Sequence, residues 1–454
     1  MTFDVIVIGS GQAGVPLANR LAGLGKRVLL AERADLGGTC VNTGCTPTKT
    51  MIASARAAHV ARTAGRLGVR AGQVDVDLAA VVDRKDAIVR RWREGVSKRL
   101  QVDGLTVVRA QARFVGERQV EVGGEVHGAE IVVINVGARP LEPPIDGLAQ
   151  VPWLDNATVI QLRELPAHLL VIGGGYIGCE FGQMFRRFGS RVTIVDQVGH
   201  LMSREDPEIS SALEDVFRAE EIALELGTRT ARVEGRAGEI ALTLGNGKKL
   251  RGSHLLVAVG RRPNTDDLGC EKAGIALDQK GFVAADGQYR TSAKGVYAVG
   301  DVLGGPQFTH TSWDDHRLLF DILLGRSRRS RFDRFIPYTA FTDPQVAGVG
   351  LTEKEARERG VPFESASMPF GDIARALEVD ETAGQMKVLV DPKTERVLGA
   401  ALVGAEAGEL VHVFVALMQA GASARAIVDA EFVHPTFAEG VQSLVMKLDR
   451  FSLR

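Results

Sequence analysis

The sequence predicts an α/β chain: two doubly wound folds built on parallel sheet, followed by a C-terminal α+β domain. Three observations carry that expectation. A short apolar strand, a glycine-rich turn, a helix, a second strand and a terminal acid follow one another over residues 3–32. The same parts recur in the same order over 169–196, with the first glycine and the acid at the same interval. From about Tyr338 the texture changes to strands that carry no such turn.

Composition sets the frame. At 454 residues the chain is too long for one ordinary core, so two to four domains are expected. A hydrophobic content of 45% with 24% charged residues fits a globular protein. A net charge of −1 leaves no electrostatic case for nucleic acid or an acidic membrane as partner. Four cysteines, Cys40, Cys45, Cys179 and Cys270, are too few for a disulfide scaffold and fit a reducing compartment. No basic leader precedes Val5 and no apolar run is long enough to span a bilayer, so a cytoplasmic location is expected.

Each element has its reason. Residues 3–8 are an apolar run, read as a buried parallel strand. Gly9, Gly11 and Gly14 follow, then a helical pattern from Val15 to Ala22, a strand from Arg27 to Ala31, and Glu32. Gly9 permits a tight turn, Gly11 lets backbone approach a pyrophosphate, and Gly14 lets helix and strand pack closely. Free amides and the helix dipole favour the anion there, and Glu32 can accept hydrogen bonds from a ribose. In the second copy, Leu169–Ile172 is the strand and Gly173, Gly175 and Gly178 mark the turn. A helix carrying Phe181, Met184 and Phe185 follows, then the strand Arg191–Val195 and Asp196. Two copies imply two dinucleotides.

The stretch from Gly37 to Lys49 holds Cys40 and Cys45 at a helix entrance. Two thiols five positions apart can close a disulfide and reopen it. Lys49, one turn past Cys45, supplies a positive charge that favours thiolate. The plainer alternative is a structural disulfide or two buried thiols. A redox disulfide needs an electron donor in contact, and a flavin ring serves. The first fold is therefore expected to bind FAD and the second NAD(P)H. Asp196 suits a free ribose hydroxyl and favours NAD, while Arg204 and His200 downstream leave NADP open. Tyr176, inside the second turn, is either a ring that covers the flavin until nicotinamide displaces it or simple packing.

The segments Asn135–Pro140 and Ala258–Pro263 resemble one another and each follows an apolar strand, so they read as returns that close the two folds. Strand Val296–Ala298 leads to Gly300 and Asp301, an acid placed to bond a flavin's ribityl chain. The first domain is then discontinuous: 1–150 and 268–334 for FAD, 151–267 for NAD(P), and 335–454 for the C-terminal domain. In that last domain Ala347–Gly350, Gln385–Val390 and Gly399–Gly404 read as antiparallel strands and Glu409–Ala420 as an amphipathic helix. His412 on it reads as a surface or packing residue. His434, five residues before Glu439, is the stronger proton carrier, since a carboxylate orients the ring and stabilises its cation. Further candidate cofactor contacts are Arg33, Gly38, Thr39, Lys49, Ala112, Gly137 and Thr309 in the first fold and Gly260 in the second. No metal ligand set is expected.

Taken together, Gly38–Lys49, the two glycine turns, Gly300-Asp301 and His434-Pro435-Thr436 with Glu439 resemble the class I pyridine nucleotide-disulfide oxidoreductases. The resemblance covers essentially the whole chain and is nearest to the dihydrolipoamide dehydrogenase and mercuric reductase branch. It implies that Cys40 exchanges with substrate, that Cys45 lies beside the flavin, and that Lys49 pairs with Glu180. It also implies that His434 and Glu439 reach the disulfide of the other subunit of a homodimer joined through the C-terminal domain. The expected activity passes electrons between nicotinamide, flavin and a dithiol/disulfide substrate. The alternative is reduction of a metal ion such as Hg(II) or Cu(II), or of a quinone. Mercuric reductases carry a second cysteine pair near the C-terminus; here no cysteine follows Cys270. The segment Phe308–His316 also departs from the more acidic, alanine-rich helix start of the dehydrogenases.

Overall fold

A computed structural model describes residues 2–452. The chain forms two compact units, each assembled from three stretches: 1–50, 82–141 and 260–334 in the first, and 51–81, 142–259 and 335–454 in the second.

The first unit is built on a seven-stranded sheet. Strand Thr2–Ile8 pairs in parallel with Val28–Ala31 on one side and Glu125–Ile134 on the other. Val28–Ala31 pairs in turn with Leu105–Val108, and Val296–Ala298 lies parallel to Glu125–Ile134. Gln119–Val122 and Ala112–Gly116 extend the sheet antiparallel. Val5, Ile6, Val7, Leu29, Leu30, Val132 and Val133 are fully buried. Burial on both faces is why these strands read as continuous apolar runs rather than alternating ones. Helix Gly14–Ala22 packs Leu17, Ala18 and Leu21 onto one face, together with Leu318 and Leu319 of helix Thr309–Leu323. The segments read as return connections do more than return: Ala138–Pro140 and Arg261–Pro263 pair antiparallel as a two-stranded ribbon.

The second unit repeats the parallel plan with four strands. Their order is Ala223–Glu225, Arg191–Val195, His168–Ile172 and His254–Val257. Helix Tyr176–Phe188 buries Phe181, Met184, Phe185 and Phe188. A three-stranded antiparallel sheet of Thr230–Arg236, Glu239–Leu244 and Lys249–Gly252 adds Val233, Ile240 and Leu242 to the same core. The C-terminal region of this unit forms a five-stranded antiparallel sheet. Three of its strands match the sequence expectation, at Gln345–Gly350, Gln385–Val390 and Val397–Gly404. The other two, Tyr338–Ala340 and Glu364–Pro369, are edge strands that are only partly apolar, which hides them from a hydrophobicity pattern. Helix Ala407–Ala420 covers the sheet with Leu410, Val411, Phe414 and Met418, and leaves His412 exposed. Lys387, almost wholly buried, bonds Asp206, Glu208 and Glu353 and so ties this sheet to the nucleotide-type fold of the same unit.

Candidate active site

The first glycine turn is fixed by what lies under it. Gly9 has φ 104°, and a Cβ there would fall 2.3 Å from the Asn135 carbonyl oxygen. At Gly14 a Cβ would lie 2.1 Å from the Gly9 oxygen. A side chain at Gly11 would meet Asn135 Oδ1 at 2.8 Å. Asn135 is the node of the site: its Oδ1 accepts from Gly14 N at 2.9 Å, and its Nδ2 donates to the Val299 oxygen at 3.1 Å. Glu32 Oε2 accepts from Ser10 N at 2.9 Å and from Ser10 Oγ at 2.7 Å, and Ser10 Oγ accepts from Gly37 N. Strand end, turn and the Gly37-Gly38 bend are thus one hydrogen-bonded piece. A helix N-terminus under three glycines that tolerate no side chain, with an acid at the next strand end, fits a dinucleotide. Gly137, with φ 67°, faces open space. Ala112 is buried at the start of its strand, and Arg33 is exposed and paired with Asp267 at 2.8 Å.

Asp301 is half-buried on the turn Gly300–Leu303, where desolvation pushes its carboxyl up while Arg261, 3.4 Å away, opposes the shift. Asp315 holds this turn. It accepts from Gly300 N and from Tyr289 Oη, each at 2.8 Å, and pairs with Arg334 at 2.9 Å. Sequence reasoning missed Ser10 and Asp315 and took Asn135 only as part of a return loop. Each works through a partner remote in sequence.

Cys40 sits in the short helix Gly38–Asn42 and Cys45 opens helix Cys45–Thr63. Gly44 lets the two helices meet, since a Cβ there would stand 2.9 Å from the Thr39 oxygen. The neighbouring Cys45 thiol first, and burial second, push the Cys40 thiol far above its usual range, while Thr309 and Lys49 act the other way. Losing a proton from Cys40 beside a Cys45 thiolate is therefore strongly disfavoured. Cys45 Sγ lies 3.1 Å from Thr309 Oγ1 at the start of helix Thr309–Leu323. The structure thus brings Cys40, Cys45 and Thr309 together, with Lys49 one turn along the same helix.

In the second unit the turn repeats. Gly173 has φ 111° and a Cβ there would meet the Ala258 oxygen at 2.5 Å; at Gly178 it would meet the Gly173 oxygen at 1.8 Å. Gly175 and Gly260 face open space. Asp196 accepts from Gly174 N at 2.6 Å and from Val198 N at 2.9 Å. His200, one of the residues that left NADP open, is engaged with Glu214 at 3.1 Å. The same fit to a dinucleotide holds here. Tyr176 opens the helix after the turn. Glu180, buried on that helix, accepts from Phe341 N at 2.8 Å.

His434 is exposed, and its Nδ1 lies 2.8 Å from Glu439 Oε2. Glu439 starts helix Glu439–Met446, and its backbone N–H donates to Thr436 Oγ1, which fixes the five-residue spacing. The imidazole keeps its other nitrogen for a partner. Lys49 and the cysteines belong to the first unit, whereas Glu180, His434 and Glu439 belong to the second. Among the described residues no group of three or more His, Cys, Asp or Glu is arranged to hold a metal ion. Among them, too, no helix is long and apolar enough to cross a membrane.

Comparison with known proteins follows the same map. Residues 3–315 match the family model described as pyridine nucleotide-disulphide oxidoreductase, and residues 336–445 match its dimerisation domain. The chain is 35% identical to a dihydrolipoyl dehydrogenase of Thermus scotoductus, over 99% of this chain and 98% of that one. It is 32% identical to a mercuric reductase of Staphylococcus aureus, over 99% of this chain and 83% of that one. Among solved structures, the Cu(II) complex of the HOCl-induced flavoprotein disulfide reductase RclA from Escherichia coli superposes with a TM-score of 0.89. That match is at 35% identity and covers 98% of this chain and 99% of that one.

Proposed function

The chain belongs to the pyridine nucleotide-disulphide oxidoreductases, and we propose that within this family it works as a disulfide reductase through Cys40 and Cys45. It is an FAD-dependent enzyme that uses a pyridine nucleotide, and its dimerisation domain supports a homodimer. The observation that carries the proposal is the pair of thiols where two closely spaced helices meet, with Cys45 against Thr309 and Lys49 one turn along.

The first glycine turn, Glu32, Gly137 and Asp301 hold FAD; Gly173, Gly175, Gly178 and Asp196 hold the nicotinamide nucleotide. When bound, FAD supplies the path by which a hydride's electron pair reaches the Cys40–Cys45 disulfide. Cys40, as its proton passes to His434, attacks one sulfur of a substrate disulfide, which forms a mixed disulfide and expels the other sulfur as thiolate. His434, oriented by Glu439 and serving the cysteine pair of the other subunit, gives that leaving thiolate its proton. Cys45 attacks Cys40, releases the second thiol and restores the disulfide. Two electrons and two protons are consumed for each substrate disulfide. Lys49 keeps a positive charge beside the thiols. Asp196 favours NADH over NADPH, because its charge repels a 2′-phosphate.

Steady-state oxidation of NADH and NADPH against lipoamide, oxidised glutathione, Hg(II), Cu(II) and a quinone tests this. Cys40→Ser is expected to cut disulfide turnover by at least about a hundredfold while NADH still bleaches the flavin. Full disulfide turnover in that variant overturns the assignment. A second reading, metal-ion reduction, draws support from the similarity to a reductase solved with Cu(II) and to mercuric reductases. Metal-dependent NADH oxidation that needs both cysteines, without disulfide turnover, selects it.

A further inference from the structure

Glu205 is a carboxylate buried in the second unit without any of the roles above. It stands on the loop behind the second glycine turn, which is pinned by a bond from Met202 N to the Gly174 oxygen at 2.8 Å. Two phenols converge on it. Tyr338 Oη donates to Glu205 Oε2 at 2.6 Å, and Tyr176 Oη donates to Oε1 at 3.3 Å. The two rings stack, with centroids 5.9 Å apart and planes 27° from parallel. Room for Tyr338 is built in. Its cross-strand partner is Gly348, and a Cβ there would lie 2.3 Å from the Tyr338 hydroxyl oxygen. Burial first, moderated by the two phenols, lifts the Glu205 carboxyl to about 7; Asp206 and Glu355 push it further up. Burial first, and the Glu205 charge second, push the Tyr176 hydroxyl up, while Arg204 acts the other way.

Tyr176 is the first side chain of the helix whose N-terminus faces the nicotinamide nucleotide, and its far end is anchored inward on a buried acceptor. We propose that Glu205 and Tyr338 are positioning residues that hold the Tyr176 ring in one pose and so pre-organise the nicotinamide site. The inference rests on the assignment of the second glycine turn to the nicotinamide nucleotide. A ring already ordered costs the incoming nucleotide less conformational entropy than a free one. Gly348 serves the same end by leaving space for the second phenol.

The test uses equilibrium binding of NAD+ and NADP+ to the flavin-loaded dimer by calorimetry, with KM and kcat measured alongside. Tyr338→Phe removes one oxygen and keeps the stacked ring, so it threatens the fold least. It should weaken binding of the preferred nucleotide roughly three- to tenfold, the loss of one hydrogen bond to a carboxylate. KM should rise with kcat little changed. Glu205→Ala should act in the same direction and more strongly, and Glu205→Gln, which keeps one acceptor oxygen, should fall between. In a Tyr176→Ala background Tyr338→Phe should have no further effect. Unchanged or tighter binding in Tyr338→Phe, or an equal loss with and without Tyr176, overturns the proposal. If Tyr176→Ala alone leaves binding of both nucleotides unchanged, the assignment of the second turn fails and the anchor with it. If Tyr176→Ala matters but Tyr338→Phe and Glu205→Ala do not, the anchor alone is refuted.

Discussion

The two glycine turns share one backbone and differ in what supports it. In both, the first and last glycines are excluded from carrying a side chain by main-chain oxygens: Asn135 O and Gly9 O in one, Ala258 O and Gly173 O in the other. The middle glycines part company. A Cβ at Gly11 would press on the Asn135 side chain, whereas a Cβ at Gly175 meets nothing. The first turn therefore rests on a side-chain node, Asn135, which also reaches Val299 in the strand end that leads to Asp301. The second has no such node and carries instead an anchored tyrosine beside it. Gly11 is demanded by the protein's own packing, and Gly175 by whatever ligand approaches it. Identical motifs in one chain can thus owe their glycines to different causes.

Substitutions sharpen that contrast. The largest effects are expected where the two turns agree. Gly14→Ala and Gly178→Ala each drive a methyl into a carbonyl oxygen, which costs roughly 3 kcal/mol or more. The first should yield protein without bound flavin, and the second should lose nicotinamide binding; absorbance of the purified protein and calorimetry read these. The middle glycines should then divide. Gly11→Ala should lower the thermal midpoint by several degrees, at about 1–3 kcal/mol for displacing Asn135. Gly175→Ala should leave the midpoint unmoved and weaken nicotinamide nucleotide binding by roughly tenfold. Equal thermal losses in the two would erase the distinction.

The smallest effect concerns the acid behind the second turn. Glu205 ionises near 4.5 when unburied and at about 7 in the fold. Between those values the folded chain holds a proton that the unfolded chain has released, so stability falls as pH rises through that window. Above about 7 the penalty is complete. Glu205→Gln removes the ionisation, and its thermal midpoint at pH 8 should gain roughly 2 °C relative to its own value against the parent at pH 5. A parallel shift at both pH values would remove Glu205 as the cause.

Much of this was legible in the linear chain. The strand, turn, helix, strand and acid of both folds lie where the patterns place them, within a residue or two at each boundary. The cysteine pair meets at a helix start, and His434 bonds Glu439. Less legible were the edge strands Tyr338–Ala340 and Glu364–Pro369, whose short, mixed composition carries no clear period. Asn135, Asp315, Glu205 and Tyr338 gave no signal of their own. Each acts through hydrogen bonds to residues well separated in sequence, and a single polar side chain has no periodicity to find.

Sequence alone determined the features whose cause is local. A positive φ at Gly9 or Gly173, an apolar run buried on both faces, and two thiols a helical turn apart are dictated by backbone sterics and short-range geometry. Tertiary structure decided what holds those features in place. Gly14 finds its acceptor on Asn135, 121 positions on, and Tyr338 finds Glu205 across 133 positions. Such bonds exist only once the sheets have formed, because it is strand register, not chain proximity, that brings a donor within reach of its acceptor.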